Sequence, residues 1–220
     1  MTVTQRKKQE APAPAVEKVY VPHLREFGLA DLITLTNAAC GMGCVFLCLN
    51  YLENDHYEGY LVYSFILLPI GLFCDIIDGW VARKRYSSPF GGDLDSLSDL
   101  ISFGVAPASL GFSLGLRGIW DSIILTFFVL CGLSRLARYN VSCEIISAGT
   151  GKVKYYEGMP IPGSLLIVLL LYVCYTNGAI GNEEIFGGRY EIYPGHFHPF
   201  SLLYLGAGLM MLSTIHIPKP

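Results

Sequence analysis

Hydrophobic residues in this chain do not alternate with polar ones; they gather into long runs. Six runs, roughly Leu32–Leu52, Gly59–Val81, Asp93–Gly115, Ile119–Tyr139, Pro160–Asn177 and Pro199–Ile215, approach the length of about 20 apolar residues that a helix needs to cross a bilayer. They predict six transmembrane helices and an all-α integral membrane protein. Ahead of them, "MTVTQRKKQEAPAPAVEK" is polar, charged and rich in Pro and Ala. It lacks the apolar core of a signal peptide and predicts a disordered cytosolic tail over residues 1–20, with one six-span domain over 21–220. Between tail and first span, "VPHLREFGLAD" sets Leu24 and Phe27 beside Arg25 and Glu26, a pattern that suits a short helix lying in the membrane interface.

Composition agrees: 52% of the residues are hydrophobic and 15% charged, which excludes an ordinary soluble domain. The net charge of −3 says little about partners, and no nucleic-acid partner is expected. The placement of cations is more informative. The tail carries Arg6, Lys7, Lys8, Lys18 and Arg25; the second connection carries Arg83, Lys84 and Arg85; the fourth carries Arg135, Arg138, Lys152 and Lys154; the C-terminus carries Lys219. The other connections hold only Arg117 and Arg189, so 13 of 15 cations fall on one side. Positive charge favours the cytosol, so both termini are expected there. Cys40, Cys44, Cys48, Cys74, Cys131 and Cys174 lie in apolar runs, where Cys acts as a small hydrophobe, and no C-x-x-C pair suggests zinc or a disulfide framework. The far-side loop "GNEEIFGGRYEIYPGHFH" holds His196 and His198; with no third ligand evident, it is expected to be an interfacial loop.

One stretch breaks the apolar pattern. "CDIIDGWVARKRYSSPFGGDLDSLSDL", Cys74 to Leu100, carries five aspartates between two membrane spans. Asp75 lies 15 residues beyond Tyr60, or about 22 Å along a helix, inside the cytosolic half of a core about 30 Å thick. Asp78 is one turn nearer the surface, and Asp95 and Asp99 start the antiparallel return. Asp75, Asp78, Gly79 and Ala82 share one helical stripe, and Asp95 and Asp99 share another. Facing stripes bring four carboxylates to one small volume, with Gly79 and Ala82 leaving room for a ligand. Four such charges cannot all stay ionised unaided. A divalent metal relieves them, and oxygen-only ligands select Mg²⁺ or Mn²⁺, with Ca²⁺ also admissible. Hard metal beside Arg83 points to phosphate chemistry. The structural alternative, buried acids paired with Arg83, Lys84 and Arg85, suits one intramembrane Asp better than four. Asp93 is off the stripe and reads as a solvated helix-start carboxylate.

These residues resemble the signature of the CDP-alcohol phosphatidyltransferases, D-x-x-D-G-x-x-A-R, a spacer of about eight, then G-x-x-x-D-x-x-x-D. Asp75, Asp78, Gly79, Ala82, Arg83, Gly91, Asp95 and Asp99 fill every fixed position. Counting to Gly91 leaves a seven-residue spacer, so either Gly91 or Gly92 fills the family glycine's role. "SFGVAPASLGF", "FFVLCGLSRLARYNV", "GKVKYYEGMPIP" and "IPKP" resemble the fungal-type, serine-using branch. The resemblance implies transfer of a phosphatidyl group from CDP-diacylglycerol to the serine hydroxyl, by direct displacement of CMP, giving phosphatidylserine. It implies that Asp75, Asp78, Asp95 and Asp99 hold one or two metals and that Asp99 is also the general base. Asp78, Gly79, Ala82, Arg83, Gly91 and Gly92 would form the CDP-diacylglycerol pocket. Arg135 and Arg138, one turn apart, would hold the serine carboxylate and a donor phosphate, with Tyr139 and Asn140 beside them and Lys154 and Glu157 as weaker candidates. Snorkelling arginines are the plain alternative. A homodimer or higher homo-oligomer in the endoplasmic reticulum, with the site facing the cytosol, is expected.

Two rival functions remain open from the residues. One is a transferase of the same family that uses inositol or glycerol 3-phosphate. The other is an ion-coupled transporter, which would want acids reaching both membrane faces; the far half of these spans has no comparable charges.

Overall fold

The computed structural model describes residues 28–54, 57–84, 90–148, 155–181, 185, 187–213 and 216–218. The expected tail, the interfacial helix before Gly28, Arg85, Lys152, Lys154 and Lys219 lie outside the described residues. Helices α1 (Leu29–Glu53) and α2 (Gly59–Lys84) form an antiparallel pair. The third apolar run is one continuous rod made of α3 (Gly91–Asp99), a π-helical turn (Leu100–Val105) and α4 (Ala106–Leu114). Then follow α5 (Ile119–Ala148), strand β1 (Tyr155–Glu157), a 3₁₀ turn (Ile161–Ser164), α6 (Leu165–Thr176), the hairpin β2 (Tyr190–Ile192) and β3 (Gly195–Phe197), α7 (Ser201–Leu212) and β4 (His216–Pro218). The helices match the six apolar runs to within a few residues, except that α5 extends well past its run.

Four of these rods, Leu29–Glu53, Gly59–Arg83, Gly91–Leu114 and Ile119–Ser142, are long and apolar enough to cross a membrane. The apolar helices α6 and α7 are shorter, at 12 residues each. The chain is therefore a mostly helical membrane protein. One helix, α1, packs by its small and polar residues. On α1 the buried stripe is Asp31, Thr34, Asn37, Cys40, Gly41, Cys44 and Cys48, while Leu32, Leu35, Phe46 and Leu49 face outward. Outside water, small and polar residues gain most by facing a neighbouring helix, since lipid is as apolar as leucine.

Two tethers at each end fix the course of α6 and α7. Just before α6, Ser164 Oγ donates to the Phe103 carbonyl (2.7 Å); beyond its end, Gly181 N donates to the Leu114 carbonyl (2.7 Å). Thus α6 runs beside the third rod from the π-turn to its far end. The α7 helix returns: it starts next to His198, whose ring nitrogen pairs with Asp121 at the start of α5 (2.5 Å), and Met159 N donates to Met210 O near its end (3.1 Å).

The expectation of an all-α chain needs one correction: there are two small antiparallel sheets. In one, Tyr155, Tyr156 and Glu157 pair with Pro218, Ile217 and His216. Gly158 follows at φ +71°, and a Cβ there would sit 2.7 Å from the Ser213 carbonyl, so the turn needs glycine. The other is the β2–β3 hairpin. Short strands leave little periodic signal in sequence, and β1 finds its partner far along the chain, Tyr155 pairing with Pro218.

The far-side loop is more than an interfacial loop. Asp121 and His198 are both fully buried. Besides the ring contact, Asp121 accepts from the backbone N–H of His198 (2.9 Å) and of Gly118 (3.0 Å). His196 Nε2 lies 2.7 Å from the Arg189 guanidinium.

Candidate active site

The aspartates converge where two helices meet. Asp75, one oxygen from each of Asp95 and Asp99, and no other described side chains, form a cluster in which the three ligand atoms lie within 4.8 Å of one another. Oxygens on opposite sides of an ion, each about 2.0–2.5 Å from it, are separated by about this much. The donors present therefore fit a hard divalent ion. Asp78 is 3% exposed, stands outside the three-oxygen cluster, and has one oxygen, Oδ2, buried without a hydrogen-bond partner. A buried carboxylate oxygen left in that state is costly unless a cation meets it.

Beside the cluster opens a cleft of about 130 Å³ lined by Ala30, Asp31, Thr34, Asp78, Gly79, Ala82, Gly91, Gly92 and Asp95. Glycine and alanine keep this wall low. The Arg83 side chain is exposed and bends back over Gly79, with a guanidinium nitrogen 3.8 Å from where a Cβ would stand. Gly91 and Gly92 both line the cleft, and a Cβ at Gly92 would meet nothing within 4 Å.

The π-turn follows Asp99 directly. Pro107 has no N–H to return to the Phe103 carbonyl one turn back, and Ser164 supplies that bond instead. Such π-segments interrupt helices most often at functional sites.

On α5, Arg135 and Arg138 are half-buried and Tyr139 is exposed; the Arg135 guanidinium lies 6.0 Å from the Tyr139 ring centre. Asn140 makes contacts that its sequence role did not anticipate. Its Nδ2 donates to Asp93 (3.0 Å), and its Oδ1 accepts from Ser96 Oγ (2.8 Å). Asp93 is thus a tether for α5 as well as a helix-start charge. Glu157 contributes its backbone to β1.

Residues 27–211 match the family model of the CDP-alcohol phosphatidyltransferases. The chain belongs to that family. It is 42% identical over 202 residues to the CDP-diacylglycerol–serine O-phosphatidyltransferase of Saccharomyces cerevisiae, covering 90% of this chain and 72% of the relative. It is 36% identical over 195 residues to the archaetidylserine synthase of Methanothermobacter thermautotrophicus, covering 87% and 70%. A CDP-diacylglycerol–serine O-phosphatidyltransferase of Methanocaldococcus jannaschii is 32% identical over 193 residues, covering 87% and 74%. Membership in this transferase family sets the transport alternative aside.

Sequence reasoning missed the part of the site that α1 supplies. Asp31 and Thr34 line the cleft, and fully buried Asn37 donates to Asp99 Oδ1 (3.3 Å). The signal was present: Asp31, Thr34, Asn37 and Gly41 recur every three or four residues, the period that singled out Asp75 and Asp78.

Proposed function

We propose that this chain transfers the phosphatidyl group of CDP-diacylglycerol to the hydroxyl of L-serine, releasing CMP and forming phosphatidylserine. The observation that carries this reading is the three-carboxylate cluster opening beside a cleft lined by signature residues. The 42% identity to a relative named for the serine reaction supports the choice of acceptor.

Asp75, Asp78, Asp95 and Asp99 would hold the metal, Mn²⁺ or Mg²⁺. When bound, it neutralises the diphosphate oxygens and makes phosphorus more open to attack. Asp99 takes the proton of the serine hydroxyl as the new P–O bond forms and the bond to CMP breaks. Gly79, Ala82, Gly91 and Gly92 make room for the cytidine diphosphate, and Arg83 offsets its charge. Arg135 or Arg138 holds the serine carboxylate.

The same reading makes α6 and α7 the fifth and sixth spans. Their tethers to opposite ends of the third rod and α5 support it, as does the β1–β4 pairing, which brings the α5–α6 connection and the chain end to one side. That side is the cytosol by the positive-inside bias, the membrane is the endoplasmic reticulum, and the enzyme is a homodimer; residues 21–220 form its one catalytic domain.

The test is purified protein given CDP-diacylglycerol with serine, inositol or glycerol 3-phosphate, following CMP release with and without chelator. Serine-dependent release that stops on chelation is expected. Turnover with another alcohol in place of serine, or full turnover after exhaustive chelation, would overturn the reading.

A further inference from the structure

Asn37 has no part in the chemistry assigned so far, yet it sits where the three site-forming helices meet. It is fully buried in the first half of α1. Its backbone carbonyl accepts from Ser102 Oγ (2.8 Å), three residues beyond Asp99, and its Nδ2 donates to Asp99 Oδ1 (3.3 Å). Its Oδ1 abuts α2: a Cβ at Gly71, one turn before Asp75, would lie 3.0 Å from it. The amide is thus wedged between the helix of Asp75 and the helix of Asp99.

That Oδ1 is buried and accepts no hydrogen bond. An amide kept for packing or stability alone has both ends satisfied, because an orphaned buried carbonyl is destabilising and an apolar residue of equal size avoids it. Here only the end that faces Asp99 is used. The unsatisfied end makes sense if the fold retains the residue for its N–H on the carboxylate.

A carboxylate turns easily about its last torsion, which is broad and nearly two-fold. A group that must take a proton in the transition state gains from being held in one orientation. We propose that Asn37 is the positioning residue of Asp99: its amide N–H holds Oδ1, leaving the other oxygen to face the cluster and the serine hydroxyl. This rests on the reading of Asp99 as the general base. The residue acts through Asp99 and touches no substrate, so it governs kcat and leaves donor affinity nearly alone.

The experiment compares Asn37→Ala, Asn37→Leu and Asp99→Asn in purified full-length protein with CDP-diacylglycerol, serine and Mn²⁺. Leucine keeps the branched shape of asparagine, at a somewhat larger volume, without its N–H. Both Asn37 variants are expected to lose about tenfold or more in kcat, the equivalent of one lost bond to a charged group, with the KM for CDP-diacylglycerol within about twofold of the parent. An Asn37→Leu enzyme with parental kcat would show that the residue only fills space and overturns the proposal. If Asp99→Asn still turns over, the base assignment fails and the positioning role with it. If Asp99→Asn is inactive while both Asn37 variants are normal, the positioning role alone fails. Should neither Asn37 variant fold, Ser102→Ala removes only the hydroxyl that grips the Asn37 carbonyl. It is expected to lower kcat by about threefold at constant donor KM, and an unchanged kcat overturns the proposal.

Discussion

Gly41→Ala tests whether the approach of α1 to the third rod matters for turnover. Gly41 lies one turn after Asn37, and a Cβ there would stand 2.6 Å from Ser102 Oγ, 2.7 Å from Ser102 Cα and 2.9 Å from Ser102 N. The first atom can rotate away; the other two are backbone and cannot. Ordinary contact begins at 3.4 Å, so against the 2.7 Å to Cα the helices must part by about 0.7 Å. The Asn37–Asp99 bond, already 3.3 Å, then stretches to about 4 Å and ceases to be a hydrogen bond. A lost bond to a charged group is worth about 1.5–3 kcal/mol; the length of this one argues for the lower end, or about tenfold in kcat. Overpacking itself destabilises by about 1–3 kcal/mol, so a lower melting temperature accompanies the loss. The assay is CMP release at saturating donor and serine, with thermal unfolding in detergent measured on the same preparation. A Gly41→Ala enzyme that melts early but keeps parental kcat would refute the chain of reasoning from helix spacing to base orientation.

Three further outcomes follow from the site and its supports. Asp75→Asn is expected to lose both donor binding and turnover, whereas Asp99→Asn loses turnover and keeps much of the donor affinity; equal loss of affinity, measured by equilibrium binding of CDP-diacylglycerol, would make Asp99 chiefly a ligand. Replacing the arginine proposed to hold the serine carboxylate by lysine, in Arg135→Lys or Arg138→Lys, keeps the charge but loses the two-pronged geometry, so the serine KM is expected to rise about tenfold with a small change for the donor; if both variants leave it within about twofold, neither arginine reads the acceptor. Asp121→Ala strands the two backbone N–H groups and the His198 ring that it serves, so a destabilisation of several kcal/mol is expected, on the order of 3–5; a melting temperature within about 2 °C of the parent rules that out.

How far the sequence reveals this molecule depends on whether a feature is local in the chain. The apolar runs are, and all six reappear as helices, four of them long enough to cross a membrane. So are the acid stripes, and Asp75, Asp95 and Asp99 do converge. The α1 stripe is equally periodic, but Asp31, Thr34 and Asn37 sit in a run whose mean character is apolar, and a hydropathy average conceals them. The features that escape altogether depend on partners distant in the chain. Asp121 finds His198 across 77 residues, Ser102 finds Asn37 across 65, and Tyr155 pairs with Pro218. No local pattern in either partner announces such a contact; each residue alone reads as a loop or helix-end polar group.

The tethers at the two ends of α5 also narrow the question of acceptor recognition. Asp121 anchors one end; Asn140, 19 residues on, or about 28 Å along the helix, ties the other to Asp93 and Ser96. Those two bonds engage both ends of the Asn140 amide, with one N–H and one lone pair left over. Asn140 is thus a strut between α5 and α3. Its partner Ser96 adjoins Asp95, which means that the strut registers α5 against the stretch of α3 that carries the carboxylate cluster. Arg135 and Arg138 ride on the same helix, five and two residues before the strut, so the strut sets where these proposed acceptor-binding side chains stand. A loosened strut should therefore impair serine binding through the two arginines. The signature of that arrangement is a serine KM that rises in Asn140→Ala and is recovered when Ser96 and Asp93 are offered a side chain, such as histidine, that can again bridge them.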